Sequence, residues 1–296
     1  MNIEDSMALP RLVSGIIVTL LLFSAAMHAN QIASCTFDTF SAPSGYSFND
    51  IQGVSDDGTV VGQLVDNNTQ QLVGFMRSPS GVFTEYSAPD SVVTWLSGRN
   101  SGGANAGYYQ NAKNPQDLHG FLLQGGKLTV INYPKATNTE LFDVNQLGAA
   151  VGSFSVSPSV TKGFMLVNGN YTTIAYPSAP ATYAQAINDN GVIVGSYATS
   201  VYNGFVWQNG TFTTINHPHA KYGTTLNGVN NSGVIVGNQL AGDRNFGFIY
   251  ENGAFKSIVY PGGNYTLAGG INNNGLISGE IYLNGNGTLG YTATCQ

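Results

Sequence analysis

Charge is scarce in this chain. Only 9% of its 296 residues are Asp, Glu, Lys or Arg, and the formal net charge is −6. The ten Lys and Arg are scattered, so no electropositive footprint for a nucleic acid exists. Two cysteines cannot staple a disulfide-framework mini-protein of this length. Beyond residue 30 the histidines are His119, His217 and His219, without a metal-ligand spacing such as H-E-x-x-H. No G-x-S-x-G, P-loop or dinucleotide fingerprint occurs in a fitting strand–helix context, and no cofactor is expected. A sustained 3.6-residue apolar period is also missing after the first thirty residues, which argues against helices.

What is plentiful is core and turn material. Hydrophobic residues make up 42%, aromatics 11%, and there are 38 glycines, which excludes a disordered chain. The longest apolar run, Leu12 to Ala26, has fifteen residues, fewer than the ~20 of a spanning helix. Arg11 precedes it and Ser24, Ala25 and Ala26 end it, the layout of a secretory signal peptide over residues 1–29. Cleavage after Ala26 and after Ala29 both fit, and a retained membrane anchor is the rival reading. The mature chain is expected to be a monomer without a membrane span, secreted, periplasmic or at the cell surface.

The remainder, residues 30–296, is one unit written six times. A glycine closing an apolar run recurs at Gly62, Gly107, Gly152, Gly195, Gly237 and Gly279. A Gly-aromatic pair recurs at Gly74, Gly120, Gly163, Gly204, Gly247 and Gly290. No composition change marks a linker, so the repeats form a single domain. Each unit holds four β-rich runs. Asn-Gly or Asp-Gly joins the first run to the second, as at Asn190-Gly191, and Asn-Gly joins the third to the fourth, as at Asn209-Gly210. Such turns are expected to place both residues at positive φ. Four antiparallel strands per unit of about forty residues predict a six-bladed β-propeller.

The sixth unit lacks its fourth run, and Cys35–Pro43 supplies one at the other end of the chain. Cys35 precedes Pro43 by eight residues, as each turn glycine precedes its proline; Cys295 follows Gly290 by five, as each turn asparagine does. The N-terminal strand is therefore expected to close the last blade, with a Cys35–Cys295 disulfide in place of the turn. Lipidation of Cys35, from the lipoprotein-like Ile32-Ala33-Ser34-Cys35, is the competing reading.

The combination Ile187-Asn188-Asp189-Asn190-Gly191-Val192-Ile193-Val194-Gly195, Gly204-Phe205 and Phe212-Thr213-Thr214-Ile215 resembles the HAF-type extracellular repeats of bacterial secreted proteins. The resemblance covers about residues 36–296 and implies repeat type and export. It implies no catalytic residues, because that family brings no established catalytic motif. The second unit departs from it, with Arg99-Asn100 replacing the apolar-Asn start and Ala106-Gly107 replacing Val-Gly.

Variable segments and Pro loops fall on the face opposite the tight turns, and scaffolded loops are where binding concentrates. Asp243 and Arg244 belong to that variation. The residues before the prolines include Tyr133, Tyr176, His217 and Tyr260, with His219 beside them. Planar rings with polar tips suit a glycan or an extracellular protein ligand; packing within the fold is the plainer reading. Asp50, Glu140 and Asp143 are the acids expected on the same rim. The first functional expectation is an exported non-enzymatic binding module of the envelope or extracellular space. The alternative is a hydrolase or lyase acting on extracellular polysaccharide at the axial channel mouth, through those acids.

Overall fold

The computed structural model describes residues 31–242, 245–285 and 287–296; the leader read at 1–29, and Asp243 and Arg244, lie outside the described residues. All regular structure described is β. Tyr46–Val54, Val60–Asp66, Leu72–Arg77 and Phe83–Tyr86 form a first antiparallel unit. Ser91–Arg99, Asn105–Asn111, Leu118–Gln124 and Lys127–Ile131 form a second. The third is Asn138–Val144, Ala150–Ser157, Val160–Val167 and Asn170–Ile174. The fourth is Ala181–Ile187, Ile193–Ala198, Tyr202–Gln208 and Thr211–Ile215. The fifth is Gly223–Val229, Ile235–Leu240, Phe246–Glu251 and Ala254–Ile258. The sixth pairs Gly263–Ile271, Leu276–Leu283 and Gly287–Cys295 with Cys35–Phe40 from the other end of the chain.

That last pairing runs in register from Cys35 opposite Cys295 to Phe40 opposite Gly290, and the two cysteines form a disulfide. One feature was not expected. Before reaching the sixth unit, Gln31–Ile32 pairs in parallel with the outer strand of the fifth, and the Ala33 N–H donates to Ser257 O.

The aromatic of each Gly-aromatic pair is the centre of its unit's core. Phe75, Phe121, Phe164, Phe205, Phe248 and Tyr291 are all fully buried. Burying such a side chain stabilises by about 1.5–3 kcal/mol. Their strands are apolar on both faces: in Val160–Val167, Phe164 and Leu166 join one core cluster while Met165 and Val167 pack against the next, so the core lies between successive units.

Neighbouring units touch through the first strands, in order round to the first again. Parallel bridges such as Leu72 to Val93 and Tyr202 to Gly223 also join some neighbours. No such bridge is present among the described residues between units two and three or six and one, so the hydrogen-bonded strands fall into two sheets. Side chains span both gaps. Asn100 Nδ2 donates to Asn145 O, and Asn272 Nδ2 donates to Ser55 O.

Those two bonds belong to a series. Asn145 Nδ2 donates to Asn188 O, Asn188 to Asn230 O, and Asn230 to Asn272 O. The asparagine of the repeated apolar-Asn start is therefore a clasp between units. Unit two is no exception, because Asn100 does this work and only the apolar residue before it has become Arg99. Ser55 is the departure: it holds the asparagine's place and bonds within its own turn, to Asp57 Oδ1 and Thr59 O.

The two kinds of tight turn differ, correcting the expectation of paired positive φ in both. Between third and fourth strands, Asn209 and Gly210 have φ of 50° and 84°, and Asn168-Gly169 and Asn252-Gly253 match. Between first and second strands only the glycine is left-handed, as at Gly191 (φ 75°). There Gly191 N–H bonds Asn188 O while Asn188 N–H bonds Val192 O, a three-residue loop with a bulged glycine. Asn188 Oδ1 accepts from Asn190 and Val192 N–H and thereby fixes the loop.

Candidate functional site

The glycine near the start of each second strand decides what the centre of the molecule presents. At Gly195 an added Cβ would lie 1.9 Å from Tyr183 O, and at Gly152 it would lie 2.0 Å from Glu140 O. A β-bulge on each first strand brings that carbonyl under the glycine, for example between Ala184 and Ala186. The residue whose carbonyl is drawn in pairs with the residue after the glycine. In chain order these first-strand residues are Asp50, Trp95, Glu140, Tyr183, Thr225 and Leu267. Their second-strand partners are Gln63, Tyr108, Ser153, Ser196, Asn238 and Glu280. The bulge re-aims the first-strand side chain, and the first strands are the ones that meet around the centre.

These positions differ from unit to unit and make the centre lopsided. Asp50 and Glu280 are adjacent on the side of units one and six. Trp95 and Tyr108 stack at 4.6 Å between ring centroids in unit two, and Phe142 sets its edge to Tyr108. Between the acids and units four and five lies a pocket of about 360 Å³, lined by Asp50, Gln52, Gln185, Asn227, Asn238 and Glu280 among others. Exposed Asn49 also lines it. Asn227 and Asn238 are held through Ala268 O, and Asn238 Oδ1 accepts from Ala268 N–H.

Glu280 is 6% exposed, and its Oε1 accepts from the Tyr282 hydroxyl at 3.0 Å. Its Oε2 has no hydrogen-bond partner. Burial, followed by the charge of Asp50, pushes the Glu280 carboxyl up to about 8. Burial raises Asp50 as well, against the opposing hydrogen bond from the Gln52 amide. Glu140 is raised by burial while Ser153 Oγ donates to its Oε2 at 2.7 Å. Burial drives Tyr108 well above the ordinary phenol range, with the nearby Glu140 and Asp50 charges adding to it. Two carboxyls in one poorly hydrated place cannot both ionise cheaply, and such a pair holds a proton near neutral pH.

Asp50 and Glu140 thus occupy equivalent places. Asp143 does not share their level: it takes the place of Gly53, Gly98, Ala186, Gly228 and Gly270, nearer the tight-turn end. Its carboxylate accepts from Val144 N–H at 2.8 Å and from Ile187 N–H of the next unit at 3.0 Å. Burial outweighs these bonds and raises it to about 6. A side chain here needs room opposite, and Gly98 supplies it: an added Cβ there would lie 2.5 Å from Asp143 Oδ1.

The residues before the prolines are packed rather than arrayed. Tyr133 stacks on Phe154 and Tyr176 on Tyr197, each at 3.5 Å between centroids, so one ring face of each is covered. Tyr260 meets the edge of Phe37. His217 is 3% exposed against Phe248 and Phe255, and its Nε2 has no partner. Burial, then the charge of His219, lowers His217 to about 4. His219 is exposed and its N–H donates to His217 Nδ1. The packing has a repeated cause. The N–H of each of these residues donates to a buried threonine, as Tyr133 to Thr139 and Tyr176 to Thr182. Tyr133 also lines a surface depression of about 390 Å³ with Asp117, His119 and Lys135.

Glu280, Trp95 and Tyr108 escaped the sequence reading. The available signal was the variation at the residue after each repeated glycine, a place fixed by the period yet filled by Gln, Tyr, Ser, Asn or Glu.

No protein-family model matches the chain, and no curated protein matches it in sequence. Solved structures do match in shape. The Aleuria aurantia lectin, a mutant in complex with alpha-methyl-L-fucoside, superposes with a TM-score of 0.53 at 15% identity, over 85% of this chain and 92% of that one. TolB from Acinetobacter baumannii gives 0.51 at 12% identity, over 70% of this chain and 53% of that one. Virginiamycin B lyase from Staphylococcus aureus gives 0.49 at 12%, over 88% and 99%. These likenesses define the class by fold alone: an all-β protein of the propeller type.

Proposed function

We propose that this chain is an exported, six-bladed β-propeller of HAF-repeat type that binds a glycan in its central pocket and performs no catalysis. The observation that carries the reading is the central pocket, walled by the Asp50 and Glu280 carboxyls and the Gln52, Gln185, Asn227 and Asn238 amides. Sugars offer the complementary surface, a dense set of hydroxyl donors and acceptors. Export draws support from the apolar leader in the sequence and from the disulfide, which persists in oxidising compartments. Among the described residues no helix is long and apolar enough to cross a membrane.

A glycan array followed by titration calorimetry tests the reading. Gln185→Ala, which removes an amide of the pocket wall, is expected to weaken a glycan hit about tenfold, the upper range for losing one hydrogen bond. Binding untouched by Gln185→Ala and Asp50→Asn together places the ligand elsewhere and ends this assignment.

A second reading rests on the same pair of acids. Glu280, protonated near neutral beside Asp50, has the proton inventory of a general acid next to a carboxylate. Release of reducing ends from a bound glycan, lost in Glu280→Gln, would move the chain to the hydrolases or lyases.

A further inference from the structure

We propose that the central pocket selects an amino sugar and seats its free ammonium group between Asp50 and Glu280. This rests on the glycan reading of the pocket and names the class of glycan. The starting point is Glu280 Oε2, an acceptor without a partner on a side chain more than nine-tenths buried at the pocket wall. Leaving such a group unsatisfied is costly. A ligand donor arriving there recovers a hydrogen bond that the protein itself does not supply.

The charge of the donor follows from what surrounds the pair. No lysine or arginine lines the pocket, so two acids share a wall with no cation of the protein's own. Every titratable group bearing on Glu280 is acidic: Asp50 beside it, Tyr282 on its own strand, and Tyr291 on the next strand. Tyr108 faces Asp50 from unit two. The two tyrosines near Glu280 are committed, Tyr282 donating to Glu280 Oε1 and Tyr291 to Leu267 O. Such a place attracts positive charge. Burial and mutual repulsion hold a proton on this pair, with Glu280 raised to about 8.

A primary ammonium can replace that proton. It brings one positive charge and three donors, enough for Glu280 Oε2, an Asp50 oxygen and a further acceptor. A neutral hydroxyl supplies a donor but leaves the proton in place. An N-acetyl group removes the charge and adds bulk to a pocket of about 360 Å³, near the lower end for small-ligand sites. Binding of the ammonium therefore releases a proton, and affinity falls as pH drops from 7.5 to 5 and the pair reclaims it.

The experiment is titration calorimetry on the full chain with a β-1,4-linked glucosamine trimer and its fully N-acetylated counterpart. Runs at pH 6, where the free amines already carry their protons, in two buffers of different ionisation heat count the protons released. The expected result is at least tenfold tighter binding of the free amine, with net proton release. Glu280→Gln, nearly isosteric and freed of its charge, is expected to erase the preference between the two trimers. The wild-type comparison does not depend on the variant folding. Equal or tighter binding of the acetylated trimer, or no proton release, overturns the inference and leaves the glycan reading standing. Lysine amide bound as tightly as the trimer overturns the sugar part of it. Binding of neither trimer nor of any array glycan removes the glycan reading as well.

Discussion

Asn188 shows how much a single side chain carries in a repeated fold. Its Oδ1 holds the N–H groups of Asn190 and Val192, and its Nδ2 reaches Asn230 O of the next unit at 2.9 Å. It is 4% exposed, so water cannot take over these bonds. An orphaned buried polar group costs about 1–3 kcal/mol. Asn188→Ala removes three hydrogen bonds, although Asn230 O keeps the Gly233 N–H and Asn190 is exposed to water, and is expected to lose about 2 kcal/mol in urea unfolding. The pH dependence of stability is likewise a matter of single residues. A carboxyl raised in the folded state binds its proton more tightly there than in the unfolded chain. The unfolded chain thus sheds protons first as pH rises, and stability declines across the interval between the two pKa values. For Glu280 that interval runs from the ordinary glutamate range to about 8, and Asp143, raised to about 6, adds to its lower part. Wild type is expected to be less stable at pH 8.5 than at pH 5. Glu280→Gln should flatten this slope, and the same slope in both proteins would show that Glu280 ionises without penalty.

At the scale of elements, the division between what the sequence revealed and what it hid has a physical basis. The four strands per unit, the Asn-Gly hairpins and the Cys35–Cys295 pairing were legible because they depend on local periods and fixed spacings. Register and bulges depend on the neighbouring strand, and they were not legible. The repeated glycine was visible as punctuation; its reason, a carbonyl drawn under it by a bulge, needed the partner strand. That reason also determines which residue faces the centre, so Glu280 carries no signal in its local sequence, and Asp143 lies nearer the tight-turn end than the rim expected for it. The Tyr133 and Tyr176 rings were read from their positions before proline, but whether Phe154 or Tyr197 covers them is decided across the sheet. The two kinds of glycine predict different costs. Gly210 has positive φ and open space around it, so Gly210→Ala is expected to cost about 1 kcal/mol in backbone strain alone. Gly195→Ala must push Tyr183 O aside and is expected to cost about 3 kcal/mol or more. Paired urea titrations separate the two, and equal losses would remove the close-approach explanation.

At the scale of the whole molecule the question is what keeps unit six beside unit one. Three devices act there. The N-terminal strand Cys35–Phe40 completes the sixth unit, and the Asn272-Asn273 turn grips unit one, with Asn272 Nδ2 on Ser55 O and Asn273 N–H and Nδ2 on the Asp56 carboxylate. The disulfide then fixes two residues 260 positions apart. The first two devices are ordinary hydrogen bonds, each contributing about 0.5–1.5 kcal/mol net. The third acts chiefly on the unfolded chain, where closing so long a loop removes about 5 kcal/mol of conformational entropy in the chain-entropy model. Replacing both cysteines by serine should therefore leave the folded ring intact, because the strand pairing from Thr36 to Phe40 remains, while stability falls steeply. The expected outcome is an unchanged near-ultraviolet circular dichroism spectrum at low temperature with a urea midpoint well below that of the oxidised chain. A reductant should reproduce the shift in wild type and have no effect on the double variant. A variant whose spectrum is already altered without urea would mean that the disulfide builds the sixth unit, beyond restricting the unfolded chain, and would overturn this division of labour.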